Sequence, residues 1–141
     1  MIAIVHYQLM WPEQFASLGR SLRESLENPA LRIDHIGSTS VPGLPAKNII
    51  DIQRGTERRV NLHVRVAGRA TQRYAVLFRD YLRANGAAAS AYGQVKVTLA
   101  GYHGEDVDAY YAIKDPVCDI LMAGAEAWAA TVGWMPGPSD Q

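Results

Sequence analysis

The chain has 141 residues, 48% hydrophobic and 20% charged, enough for one domain around one core. Its 14 basic and 14 acidic residues cancel, so no global positive field exists to hold DNA or RNA, and nucleic acid is not an expected partner. Cys118 is the only cysteine, which excludes a disulfide framework and a cysteine zinc site and fits a reducing, cytoplasmic setting.

The first fifteen residues lack the basic and long apolar segments of a signal peptide, and no apolar run reaches the ~18 residues of a membrane span. Ile2 to Tyr7 is β-prone and reads as an extended arm or edge strand. Trp11-Pro12 opens a helix, since proline suits the first turn, where its missing N–H would be unbonded anyway. Phe15, Leu18, Leu22 and Leu26 form its buried face, and Asn28-Pro29 stops it.

Leu31 to Ile36 reads as a strand, a polar loop runs from Gly37 to Lys47, and Asn48 to Gln53 reads as a second strand. Gly37, Ser38, Thr39 and Ser40 are small and leave backbone N–H groups open to an anion, in the manner of a phosphate-cradling nest. Asp51 leaves an apolar strand where a carboxylate could hold a divalent metal beside that phosphate. The alternative is a Pro/Gly-rich hairpin loop in which Asp51 pairs with Lys47 or Arg65. Val60 to Val66 alternates, so Leu62, Val64 and Val66 are expected to face the core, with His63 and Arg65 on the opposite side.

From Thr71 onward the pattern is helical. Tyr74, Leu77, Phe78, Tyr81 and Leu82 form a stripe that Asn85-Gly86 ends. A second helix is expected over Ala88 to Tyr102, a short one over Glu105 to Lys114, and a last one from Asp115-Pro116 through Trp128. Residues 1–134 read as one domain and 135–141 as a flexible tail. Strands early and helices late predict an α+β fold, a small mixed or antiparallel sheet packed against helices. The four histidines lack metal-ligand spacing, and no G-x-S-x-G elbow supports a hydrolase built from Ser38, His63 and Asp51.

The chain resembles the GrpB family in Trp11-Pro12, in Ile36-Gly37-Ser38-Thr39-Ser40-Val41-Pro42-Gly43-Leu44, and in Ala46-Lys47 with Ile49-Ile50-Asp51-Ile52. Asn61-Leu62-His63-Val64, Leu77-Phe78-Arg79-Asp80-Tyr81-Leu82, and Tyr92, Lys96, Tyr110, Lys114 and Trp128 extend the resemblance along nearly the whole chain. It implies a nucleotidyltransferase fold of the DNA polymerase beta type and kinship with the accessory domain fused to some bacterial dephospho-coenzyme A kinases, which is given a role in folding or regulation. In that pattern Gly37 and Ser38 match the triphosphate-binding turn, and Asp51 matches the first metal-binding carboxylate, with Mg²⁺ as the implied cofactor. Lys47 and Arg65 become charge-neutralising positions, and Arg79, Lys96 and Lys114 become phosphate contacts.

Two departures weaken chemistry more than binding. Gln53 stands where a second carboxylate is expected, and the region of the third offers only His63, as a catalytic candidate, or Arg65. The connection from the Asp51 strand to Asn61 is also shorter than the family's, which abbreviates the sheet, exposes apolar surface and points to homo-oligomers. Two functions are therefore expected as alternatives: binding of a nucleotide or other phosphorylated ligand, or a non-catalytic accessory or protein-folding role beside a dephospho-coenzyme A kinase.

Overall fold

The computed structural model describes residues 1–26, 32–49, 61–64 and 69–141. Four helices dominate them: α1 (Trp11–Ser25), α2 (Ala70–Ala84), α3 (Gly86–His103) and α4 (Val107–Val132). A short 3₁₀ turn, Ser38–Ser40, lies between α1 and α2. The longest helix, α4, packs against both α2 and α3, while α1 packs against the 3₁₀ turn.

The apolar periods place α1, α2 and α3 close to where they are expected. Trp11 is fully buried at the start of α1 and gathers Val5, Tyr7, Leu18 and Ala46 around it. Its indole Nε1 donates to Asn48 Oδ1 at 3.2 Å, so the polar edge of the ring is satisfied. Leu82 of α2 and Tyr92 of α3 enclose Val41 and Leu44 of the loop, with Val117 and Leu121 of α4 against them. Leu77 meets Ala125 and Ala129 of α4, and Trp128 and Trp134 pack alongside.

The expected α+β sheet of nucleotidyltransferase type is not found among the described residues, which are mainly helical. Among the described residues there is no strand, and the one extended pairing is an antiparallel bridge between Val5 and Ala46. A strand needs a neighbour to satisfy its N–H and C=O groups. Residues 32–36 are not in a sheet; instead Ile33 N–H donates to Ser139 Oγ at 2.8 Å, and Gln141 N–H donates to Ile33 O at 3.1 Å. The segment expected to be a flexible tail thus stands where a partner strand was expected. Leu62 and Val64, expected in the core, are 56% and 87% exposed, and no sheet among the described residues covers them. Helix packing supplies the core instead. The second expected strand lies mostly outside the described residues, as do Ile50 to Val60, with Asp51 and Gln53, and Arg65.

The two helices expected over Glu105 to Trp128 are one. Asp106 caps α4, its Oδ1 accepting the Ala109 N–H at 2.9 Å, and Pro116 sits inside the helix. Proline removes one helical hydrogen bond and crowds the carbonyl four residues back. Here both Pro116 and Ala112 are exposed, so water can serve that carbonyl and the helix continues.

Gly93 explains how the loop comes close to α3. A Cβ at this position would stand 2.8 Å from Pro45 Cδ and 3.3 Å from a Leu44 methyl. Gly93→Ala must push the loop off the helix and is expected to destabilise by about 1–3 kcal/mol. Gly101, on the same helix with nothing within 4 Å of its would-be Cβ, gives the control: Gly101→Ala should stabilise by roughly 0.5–1 kcal/mol. Urea denaturation of both variants checks the pair, and equal effects would contradict the close approach.

Candidate functional site

The site is built on the turn that the sequence singles out. Gly37 has φ 74°, in the left-handed region that a glycine enters without strain, and it turns the chain into the 3₁₀ segment. Its carbonyl accepts from Ser40 N–H at 3.2 Å and from Ser40 Oγ at 2.6 Å, which closes the turn on itself. Arg83 Nε of α2 donates to Ser40 O at 2.9 Å from the α2 side.

Lys96 reaches the turn from α3. Its side chain is only 3% exposed, and Nζ donates to Ser38 Oγ at 2.8 Å and to the Pro45 carbonyl. Nζ also lies 4.7 Å from the centre of the Tyr92 ring, one helical turn away. Among the described residues no carboxylate pairs with it. Burial makes the charged form costly, and its pKa is lowered to about 7.

The cluster continues across to α4. Tyr92 OH and Cys118 Sγ are 3.3 Å apart, and burial raises the Tyr92 phenol well above its usual value. Lys114 Nζ is 3.5 Å from Cys118 Sγ and pairs with Asp115 at 2.7 Å. Burial pulls the Lys114 ammonium down, but its bond to Asp115 and the nearby Cys118 outweigh it, and its pKa is raised. Lys47 Nζ donates to Tyr111 OH at 2.7 Å. Both Lys47 and Lys114 stand over the Tyr111 ring, at 4.7 and 5.2 Å.

The structure therefore brings Gly37, Ser38, Lys47, Lys96 and Lys114 to one place, against Tyr92, Tyr110 and Tyr111. Among the described residues, these three ammonium groups pair with one carboxylate, Asp115, which is itself 65% exposed. Such a surplus of charge beside a hydroxyl can hold an anion. The tyrosines and Cys118 were not singled out as site residues. The signal for them was spacing: Tyr92 to Lys96, Tyr110 to Lys114 and Lys114 to Cys118 are each four apart, one turn on a single helix face.

Other expected site residues lie elsewhere. Thr39 is buried, and its hydroxyl is 3.0 Å from His35 Nε2, away from the lysines. Arg79 is buried at 4% exposure in a different cluster, bonded to Asp80 at 2.7 Å and Asp140 at 2.7 Å. His63 is exposed. Asp51 and Arg65 lie outside the described residues, and among the described residues no three His, Cys, Asp or Glu gather as a metal would require. A shallow concavity of about 350 Å³, lined by Arg73, Glu126 and Trp134, sits toward the far end of α4 from Lys114.

Fold and site together define a small domain, mainly helical among the described residues, in which lysines of α3, α4 and the loop gather beside the Gly37–Ser38 turn. The chain belongs to the GrpB family. The family model for GrpB protein matches residues 1–58 and 53–123, two pieces that meet where the connection after Asp51 is short. The UPF0157 protein BH1888 of Halalkalibacterium halodurans is 30% identical over 162 residues, covering 89% of this chain and 83% of that protein. A dephospho-CoA kinase of Mycolicibacterium paratuberculosis is 28% identical over 188 residues, covering 89% of this chain but 46% of the kinase. The crystal structure of the conserved protein GrpB from Enterococcus faecalis superposes with a TM-score of 0.74 at 28% identity, covering 89% of this chain and 99% of that one. No helix among the described residues is long and apolar enough to cross a membrane.

His35 supports the turn from below, its ring stacked on Phe15 at 4.6 Å. Burial, and then the positive charges of Arg83 and Arg79, lower its pKa from 6.5 to about 4. The unfolded chain therefore binds a proton that the folded chain refuses in this window. Stability is full above pH 6.5 and falls as pH drops toward 4, by about 3 kcal/mol in all. Urea denaturation at steps between pH 7.5 and 4.5 should show this slope, and His35→Gln should flatten it; an unchanged slope would contradict the assignment.

Proposed function

We propose that this GrpB-family domain binds a nucleotide or another phosphorylated small molecule at the Gly37–Ser38 turn. Lys47, Lys96 and Lys114 neutralise the phosphate charge, and Ser38 Oγ offers a hydrogen bond. The single observation that carries the reading is the buried Lys96 ammonium, held at the Ser38 hydroxyl with no carboxylate partner among the described residues. A phosphate oxygen taken up there would replace the neutral Ser38 and Pro45 acceptors with a charged one, which forms the stronger bond. Binding is the reading; with Gln53 in place of an acid, no phosphoryl-transfer step is assigned. No step is routed through Mg²⁺, because Asp51, its one implied ligand, lies outside the described residues.

Calorimetric titration with ATP, GTP, CTP and inorganic phosphate tests this. Lys96→Met and Lys114→Met should each weaken binding by about tenfold or more, as expected for a lost bond to a charged group. Affinity should also fall as pH rises from 6 to 9, because the free Lys96 loses its proton near pH 7 and must regain it to bind. No binding at millimolar ligand, or binding that Lys96→Met leaves unchanged, would overturn the reading.

A second reading rests on the similarity to dephospho-CoA kinases, of which this chain spans about half the length (46%). In it the domain is an accessory that helps such a kinase fold or remain soluble. Co-expression with a dephospho-CoA kinase that lacks such a domain should raise the yield of active enzyme, and no change in yield with no complex formed would count against it.

A further inference from the structure

The outer face of α4 carries a pattern that neither the core nor the lysine site uses. Ile113, Pro116, Ile120, Ala123, Ala127 and Ala130 recur at alternating spacings of three and four residues, and all six are exposed. Ile113 is 44% exposed and Ile120 is 72% exposed. Apolar residues alternating at three and four along one helix form the seam by which a second helix packs. Large side chains act as knobs there, and small ones leave room for the partner's. The seam runs along about 25 Å of helix. A single exposed isoleucine is ordinary, but a continuous apolar row marks an interaction face.

The two edges of the seam differ. One edge is closed by the protein's own core: Tyr110 is buried, Val117 packs against the cluster of Leu82 and Tyr92, and Gly124 lies against Tyr81. Along the other edge Asp108, Asp115, Asp119 and Glu126 form an exposed row at spacings of seven, four and seven. Asp115 pairs with Lys114 and Glu126 with Arg73, while Asp108 and Asp119 enter no ion pair among the described residues. Lys114, the one Lys or Arg of α4, is on the inward side beside Cys118. The helix therefore offers an apolar seam with acid along its open edge.

That charge selects the occupant, because residues flanking a helix seam set which partner it accepts. Two copies of α4 laid antiparallel would set the acidic row against itself, and like charges brought together suppress such a pairing. A parallel pair would point each acidic row at the edge that the core already closes. A lipid surface takes up helices with Lys and Arg beside the apolar face, the reverse of this arrangement. We propose that the outer face of α4 docks an amphipathic helix of a partner protein whose apolar stripe is flanked by lysine or arginine. Ile113 and Ile120 enter its apolar face, the alanines receive its larger side chains, and Asp115 and Asp119 meet its basic row.

The test uses the full chain and fluorescein-labelled synthetic peptides three heptads long, read by fluorescence anisotropy. One peptide has leucine at the seam positions and lysine beside them. A second has glutamate in place of lysine, and a third scrambles the first so that no apolar face forms. The lysine peptide should bind, and the other two should bind more weakly by about tenfold or more. Ile120→Asp should weaken the lysine peptide by about tenfold or more, since it sets a charge in the seam. Asp119→Lys should weaken the lysine peptide and strengthen the glutamate peptide, each by about threefold. Ile120 is exposed, so its replacement leaves the core intact. Circular dichroism verifies this, and Asp119→Lys decides the question independently. Amide shifts on adding the lysine peptide should fall on α4 from Ala112 to Ala130 and leave Ser38 and Lys96 unmoved. No binding at millimolar peptide, equal binding of the scrambled peptide, or unchanged binding to Ile120→Asp would overturn the proposal. So would a concentration-dependent dimer that Ile120→Asp breaks, since a second copy would then be the occupant.

Discussion

The buried Lys96 ammonium is the constraint on which the rest of the site depends. One side chain from α3 reaches both ends of the loop, Ser38 at its entry and Pro45 near its exit. The loop can lie that close to α3 because Gly93, three residues earlier, has no Cβ to hold Pro45 away. Burying an ammonium costs free energy unless hydrogen bonds and polarisable neighbours offset it. Here the hydroxyl, the carbonyl and the Tyr92 ring do so only in part, and the lowered pKa near 7 is the sign of what is left over. A group held in that state gains most from an anionic partner.

Around that point the molecule keeps two charged clusters apart. Lys47, Lys96 and Lys114 carry surplus positive charge and meet tyrosine faces. Arg32 and Arg79 meet Asp34, Asp80 and Asp140 and are neutralised. The difference separates roles: matched arginines hold the turn and residues 137–141 in place, while among the described residues Lys47 and Lys96 meet no carboxylate and Lys114 meets the exposed Asp115, which leaves them available to a ligand. Arg79, expected beside phosphate from its place in the family pattern, belongs to the first group. Its charge is spent on Asp80 and Asp140.

Helices α1 and α2 were legible because each presents an apolar period that the packing obeys. Trp11-Pro12 marks the start of α1, and the stripe Leu77, Phe78, Tyr81 and Leu82 marks the inner face of α2. The Gly-Ser turn and its lysines were legible through the family pattern, which put Ser38, Lys47, Lys96 and Lys114 on one list; their meeting point needed the fold. The sheet was misread for a physical reason. Alternation in Leu31 to Ile36 and Val60 to Val66 reports a wish for one buried face, but it cannot report whether a neighbouring strand exists to complete the ladder. Residues 137–141 could not be seen as partners of Ile33, since Pro136-Gly137-Pro138 reads locally as a polar end. Pro116 misled in the same way, because proline is a strong local stop signal, and only its exposure on α4 shows why the helix runs through it.

The most direct test of the account is the titration of Lys96 itself, followed by NMR of its side-chain ¹³Cε and ¹⁵Nζ with Lys96→Met as the assignment control. The account predicts a midpoint near pH 7 in the free protein, moving upward when inorganic phosphate or ATP is added. A midpoint near the ordinary lysine value of 10.5, unmoved by either ligand, would contradict it.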